Sequence, residues 1–453
     1  MTGPAVDPAV DPAVDPAVDP AVDPVAVDLR AVEARLAAAG IASERVVVGA
    51  DAVVVVSSYG GRVYGPFFAE GEAENWLPDA FTDDDAFGAL VESCDWNVGG
   101  DRVWIGPEIA YMIRDRSDYW GSYEMPPSLD PGRHDLGRTG DRVTLSRVAE
   151  LEAFTKPTGL VRADLTLVVR PAAHPLRHLR GASAGGPGGA PLVDAVEYGG
   201  YVTEVRLGIT SDGAHEAESW MLDQVRAGGT AFVAAVPDTQ VTDYYEPVGE
   251  LLAEVPGGVA VSLTGADRFK IGFAAPHVTG RVGYVRAVGD PADDRAVLFV
   301  RGSHSDPSAE YSEEPDPSPG VRGDSLHLYD DDGGLGGFAE IEARGTPVLG
   351  PRPEAVTDRF ASWWFRGRTD DVARVAQHLL GVPATTVAQA ARGAAPRLLG
   401  PSAASSTATT TPTRPRRSAR NAPTTTSSPW SSTAPGSTAP QGSRPRPTGS
   451  SSD

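Results

Sequence analysis

Alternation of apolar and polar residues over whole segments is the feature that most narrows what this chain can become. Val161, Ala163, Leu165, Leu167 and Val169 interleave with Arg162, Asp164, Thr166 and Arg170. Tyr201, Thr203, Val205, Leu207 and Ile209 interleave with Glu204, Arg206 and Thr210. A two-residue period puts one set of side chains on each face of a β-strand, so these segments predict strands with one buried face. Further β-rich runs follow at 46–48, 53–57, 62–68, 259–263, 281–286, 296–301, 325–329 and 338–343. Gly60-Gly61, Gly257-Gly258 and Gly333-Gly334 mark turns between them. Many short strands without regular intervening helices predict a mostly antiparallel all-β body, large enough for a sandwich rather than a small barrel. Helices are expected only at the margins, at 29–39 ending on Gly40, 370–380 and 384–391.

The ends read differently. Residues 4–23 repeat Pro-Ala-Val-Asp five times, and a proline at every fourth position blocks helix and removes backbone donors. A disordered, polyproline-II-like spacer is expected over 1–28. Residues 396–453 are Ser, Thr, Pro, Ala and Arg with little aliphatic content. They cannot bury enough apolar surface to offset ordering entropy, which predicts a disordered tail. One β domain is expected over 29–395, with a flexible Gly-rich insertion at 179–191.

Charge limits the partners. The formal net charge is −22, and the arginine-bearing tail makes the body more acidic still. Such a surface argues against nucleic acid or anionic lipid. Cys94 is the one cysteine, which excludes an intramolecular disulfide and a cysteine-rich zinc site. No apolar run is long enough for a membrane span, and no basic-then-apolar leader opens the chain. The expectation is a cytoplasmic protein, without membrane attachment, cofactor or metal, taking a small-molecule or oligosaccharide ligand. The oligomeric state is left open.

Chemistry-bearing residues concentrate in a few segments. Residues 96–108, Trp-Asn-Val-Gly-Gly-Asp-Arg-Val-Trp-Ile-Gly-Pro-Glu, combine two Trp, an Asp-Arg pair and a Glu. Indole faces suit the C–H faces of sugars, and Asp101, Arg102 and Glu108 suit hydroxyls. The competing reading is a tight loop in which Trp104 plugs the core and Asp101 pairs with Arg102. Glu340 and Glu342 share one strand face, about 6.5–7 Å apart along the chain. They are candidates for a general acid or base, or else a solvent-facing polar edge. His327 shares a face with Tyr329 and could transfer protons, though a lone strand histidine is also an ordinary structural residue. Glu310 lies in one acidic loop and Asp330-Asp331-Asp332 in another; neither has the spacing of a calcium loop. Lys270 is one of only two lysines. No phosphate loop, nucleotide fingerprint or nucleophile elbow is present.

Taken in series, several segments resemble an uncharacterised bacterial family of the galactose mutarotase-like, or aldose 1-epimerase-like, superfamily. They are Gly60-Gly61-Arg62-Val63, residues 99–108, Glu218-Ser219-Trp220-Met221-Leu222-Asp223-Gln224-Val225, Gly228-Gly229, Phe269-Lys270-Ile271-Gly272, residues 280–284 and Ala339-Glu340-Ile341-Glu342. They fall in order across about residues 45–368. The resemblance implies a β-supersandwich with a few peripheral helices and a sugar cleft on one sheet. It implies proton transfer between a glutamate and a histidine, with Glu340 first among Glu340, Glu342 and Glu310 as base and His327 or His277 as acid. Arg62, Asp101, Arg102, Trp104, Glu108, Trp220, Gln224 and Lys270 would bind the ligand. The histidine motif and the Tyr-Phe-Asn run of characterised mutarotases are missing. A sugar-binding protein, with epimerase activity as what the resemblance implies, therefore stands beside two alternatives: a hydrolase or lyase with paired carboxylates, and a non-catalytic interaction protein with a vestigial cleft. Because neither end can add to a core, deleting residues 1–24 and 401–453 should leave the melting midpoint nearly unchanged. A drop of several degrees would show that one of them docks.

Overall fold

The computed structural model describes residues 27–179, 191–213, 215–350 and 354–394. The Pro-Ala-Val-Asp repeat, most of the 179–191 insertion and the Ser/Thr-rich tail lie outside the described residues. Nineteen strands form two antiparallel sheets. Across the nine-stranded sheet run β1 (Ser43–Val47), β2 (Ala52–Ser57), β3 (Val63–Phe68), β4 (Asp101–Gly106), β9 (Glu218–Arg226), β18 (Phe338–Arg344), β17 (Asp324–Asp330), β14 (Phe269–Ala274) and β11 (Val241–Asp243). Across the ten-stranded sheet run β12 (Leu252–Val255), β13 (Gly258–Leu263), β10 (Gly229–Ala235), β15 (Val278–Ala287), β16 (Arg295–Gly302), β19 (Val356–Arg368), β8 (Val196–Ile209), β7 (Gly159–Pro171), β6 (Arg142–Ala153) and β5 (Asp135–Thr139). This is an all-β supersandwich with helices at its margins.

The main core lies between the sheets. Leu145, Val161, Leu165, Val205, Phe299 and Trp364 of the ten-stranded sheet share one buried cluster with Val103, Ile105, Met221, Leu326, Leu328 and Ile341 of the nine-stranded sheet. A second cluster lies where helices α4 (Thr369–Leu380) and α5 (Ala384–Ala391) bring Val372, Val375, Leu379 and Val387 against Leu298, Val300 and Phe365. A third joins α1 (Leu29–Ala38) and α2 (Asp84–Glu92) to β2 and β3. The helix expected at 29–39 ends at Ala38, and Gly40 follows at φ +65°. Residues 101–106, read from the sequence as part of a dense loop, are a fully buried strand.

One charged group crosses the sandwich. Arg301 of β16 donates to both carboxylate oxygens of Asp101 on β4, at 2.7 and 3.1 Å, and Tyr201 of β8 donates to the same carboxylate at 2.7 Å. Arg301 and Asp101 are completely buried. Asp101 is therefore not paired with Arg102: alternation along β4 sends their side chains to opposite faces. Asp223, opposite Asp101 in the register of β4 and β9, lies 3.6 Å from Arg301. Burial, followed by the neighbouring Asp101 charge, holds its carboxyl well above the usual range. Removing one member of a buried ion pair strands the other. Arg301→Met should cost about 3–5 kcal/mol in urea unfolding, and adding Asp101→Asn should recover part of the loss. An Arg301→Met variant within 1 kcal/mol (roughly the worth of an exposed ion pair) would rule out the pair as a support of the sandwich.

Candidate functional site

The alternation that turns Ile341 inward turns its neighbours outward. On the outer face of the nine-stranded sheet, β4 presents Arg102 and Trp104, β9 presents Trp220 and Gln224, β18 presents Glu340 and Glu342, β17 presents His327 and Tyr329, and β14 presents Lys270. The strand register makes them neighbours: Trp104 faces Trp220, Gln224 faces Glu340, Glu342 faces His327, and Tyr329 faces Lys270. This face is not solvent-exposed. A short helix that begins at Glu108 and loops carrying Trp120, Tyr123, Tyr245 and Leu335 stand over it around a cavity of about 460 Å³. The solvent-edge reading of the paired glutamates fails because β18 is flanked by β9 and β17, and Glu340 and Glu342 are only 6% and 1% exposed.

The floor is a wired array of charges and indoles. Arg102 donates to Glu340 at 2.7 Å and lies over the Trp104 ring at 4.4 Å. Its Nη1 has no hydrogen-bond partner although the side chain is 1% exposed, while its Nε lies 3.7 Å from Asp130. Buried guanidinium donors normally find acceptors, so an arginine in a cavity wall with spare donors is equipped to bind an oxygen-rich guest. Trp220 donates its indole N–H to Glu342 at 2.8 Å. Lys270 and Arg344 stand over the same ring at 4.2 and 3.8 Å. Lys270 lies 3.2 Å from Glu108 and 3.7 Å from Glu342. Tyr245 also donates to Glu108, at 3.1 Å.

Burial works against the charge of Lys270, but Glu108 and Glu342 outweigh it and raise the ammonium pKa. Glu342 is the more distant of these two carboxylates. Burial pushes it up to about 7, against the pull of Lys270, and the Glu340 charge adds to the rise. Farther along the same face, Glu218 is likewise pushed up to about 7 by burial, opposed by Arg344. Gly106 makes room for this layer: a Cβ there would meet Arg344 Nη1 at 2.4 Å.

Arg102, Trp104, Glu108, Trp220, Lys270, Glu340 and Glu342 thus come together around one cavity. Asp101, Arg62, Gln224, His327 and Glu310 do not line it. Asp101 faces the opposite sheet. Arg62 is wholly buried beside it, donating to Asp130 at 2.6 Å and to the Trp96 carbonyl. It acts through Asp130, which also accepts the Trp104 indole N–H at 2.6 Å. Gln224 is buried and donates to Asn97 at 3.0 Å. His327 lies beside Glu342, 3.9 Å away. Burial, then Arg344 and Lys270, hold its pKa well below the usual histidine value, which disfavours the imidazolium that a histidine acid would need. Glu310 sits exposed in a separate loop. Gly99 turns at φ +74° against the Trp76 carbonyl.

Loop residues supply what the sequence did not single out: Trp120, Tyr123, Tyr245, Arg268 and Leu335. The Asp330-Asp331-Asp332 run proves to be a wired turn. Asp331 accepts from the N–H groups of Gly333, Leu335 and Gly337 at 3.1, 3.0 and 2.8 Å. Among the described residues no cluster of three or more His, Cys, Asp or Glu could hold a metal ion, and no helix is long and apolar enough to cross a membrane.

Neither a protein-family model nor a curated protein matches this chain. Among solved structures it is similar to a candidate aldose 1-epimerase of Escherichia coli K12, at 10% identity and a TM-score of 0.41, covering 72% of this chain and 99% of that one. It is also similar to a galactose mutarotase-like protein of Lactobacillus casei, at 8% identity and a TM-score of 0.35, covering 71% and 100%. A galactose mutarotase related enzyme of Lactobacillus acidophilus gives 8% identity and a TM-score of 0.38, covering 71% and 97%.

Glu342 has a direct thermodynamic consequence. A carboxyl raised in the folded state binds its proton more tightly there than in the unfolded chain. Its contribution to stability is complete below the ordinary value of 4.5 and is lost as pH rises through about 7. Glu342→Gln cannot titrate, so its unfolding free energy should fall less steeply than that of the parent over roughly pH 5 to 8. Equal slopes would place the Glu342 pKa in the ordinary range.

Proposed function

We propose that this protein binds a sugar in the outer-face cavity and can interconvert the sugar's anomers by proton transfer between carboxyl groups. One observation carries the reading. Indoles of Trp96, Trp104, Trp120 and Trp220 share a cavity of about 460 Å³ with Arg102, Glu108, Lys270, Glu340 and Glu342. Apolar ring faces beside a few fixed donors and acceptors match the two sides of a pyranose, which has C–H faces and a hydroxyl edge. The resemblance seen in the sequence favours the same ligand class.

The chemistry follows from the environments of the two glutamates. Glu340, ion-paired to Arg102, is the carboxylate that accepts the anomeric hydroxyl proton. Glu342, whose pKa burial brings to about 7, carries a proton near neutrality and donates it to the ring oxygen. The C1–O5 bond breaks as the C1 carbonyl forms. The aldehyde rotates, and reclosure returns both protons in the reverse sense. Lys270 holds Glu108 and offers a second cation to the open-chain carbonyl oxygen. This scheme replaces the histidine acid implied by the sequence with a carboxylic acid.

Polarimetry on freshly dissolved α-glucose and α-galactose tests it. Micromolar protein should accelerate mutarotation, and Glu340→Gln and Glu342→Gln should each reduce the rate about 100-fold or more. The rate should fall as pH rises through about 7, where the Glu342 acid is lost. No acceleration on any aldose would remove the epimerase. Calorimetry on the same sugars then decides whether the cavity is a binding site alone.

A further inference from the structure

The cavity does not end at its mouth. Trp120 stands on the rim with 42% of its surface exposed, an unusual state for so large an apolar side chain. It is held rigidly there. The Arg268 guanidinium lies 4.0 Å from its ring centroid, and Tyr245 meets it edge-on at 4.6 Å. Arg268 Nε is buried without a hydrogen-bond partner. Arg268 and Asp332 line the cavity and also line a second hollow of about 530 Å³, whose far wall is Glu246, Glu250 and Leu251. The two spaces thus have Arg268 and Asp332 as a common wall, with the exposed indole beside Arg268; taken as continuous, they make a stepped cleft.

Resting on the sugar reading of the inner cavity, we propose that the ligand is the end of a neutral oligosaccharide. One ring sits over Trp104 and Trp220, and the next stacks on Trp120 and extends past Arg268 into the second hollow. A monosaccharide seated over Trp104 and Trp220 leaves the exposed part of the Trp120 ring uncovered. A preorganised aromatic platform offers stacking at little entropic cost. The charge of the outer step selects the class of sugar. Glu246, Glu250, Asp267 and Asp332 surround the single Arg268, so uronate or phosphorylated chains meet repulsion while uncharged rings do not.

Titration calorimetry on the full chain tests this with glucose, galactose and N-acetylglucosamine against maltose, cellobiose, lactose and chitobiose, and with a uronate disaccharide. At least one neutral disaccharide should bind about tenfold more tightly than its monosaccharide. Trp120→Ala should bring that ratio close to one, whereas a merely structural role would weaken both ligands alike and leave the ratio unchanged. Should Trp120→Ala fail to fold, Arg268→Ala supplies the same ratio. Equal affinity for one ring and two, or preference for the uronate, overturns the stepped cleft while leaving the inner sugar site standing. Absence of binding by every sugar overturns both.

Discussion

A charge taken out of water must bring its partner with it, and this molecule is organised around that requirement. Asp101 meets Arg301 between the sheets, Arg62 meets Asp130 beside the cavity, Arg102 meets Glu340 on the cavity floor, and Arg344 meets Glu218 and Glu313 farther along the same face. Each pair joins residues distant in the chain. The nine-stranded sheet therefore carries ions on both faces. Those on its inner face brace it against the ten-stranded sheet, and those on its outer face present a polar floor. Such pairs contribute little net stability over an apolar core, but removing one member strands the other charge. The register of β4, β9 and β18 brings Trp104 to Trp220 and Glu340 within reach of Arg102.

The strand-rich architecture was readable because alternation survives wherever one face meets the core. Val161–Val169 and Tyr201–Ile209 became β7 and β8, and the glutamates of Phe338–Arg344 share a face as their spacing required. Other strands were masked for specific reasons. In β6, Arg147 takes an inward position to reach the Ser128 and Leu129 carbonyls, while Val148 points outward and is 47% exposed. In β19 the run Trp363-Trp364-Phe365 breaks the two-residue beat because the outer side of that strand is also covered. In β4 the flanking glycines and proline read as a loop.

The site was legible only where its residues lie on strands. Parity along a strand separates Arg102 from Asp101 once the strand is recognised, but no local pattern reveals that loops cover the outer face. Trp120, Tyr123 and Tyr245 arrive from segments without periodicity, and Arg268 from a turn. His327 illustrates the opposite limit. Its parity with Tyr329 put it on the correct face, yet burial, with Arg344 and Lys270 brought in from elsewhere in the chain, holds its pKa well below the usual value.

The order of the strands has one more consequence. The outermost members of the two sheets, β1, β11, β12 and β5, span only Ser43–Val47, Val241–Asp243, Leu252–Val255 and Asp135–Thr139, whereas β19 and β8 inside run through Val356–Arg368 and Val196–Ile209. Unsatisfied hydrogen-bonding groups at a sheet boundary are what recruit foreign chains into fibrils. By tapering toward every boundary, a molecule built from so much ribbon offers only brief stretches for lateral templating.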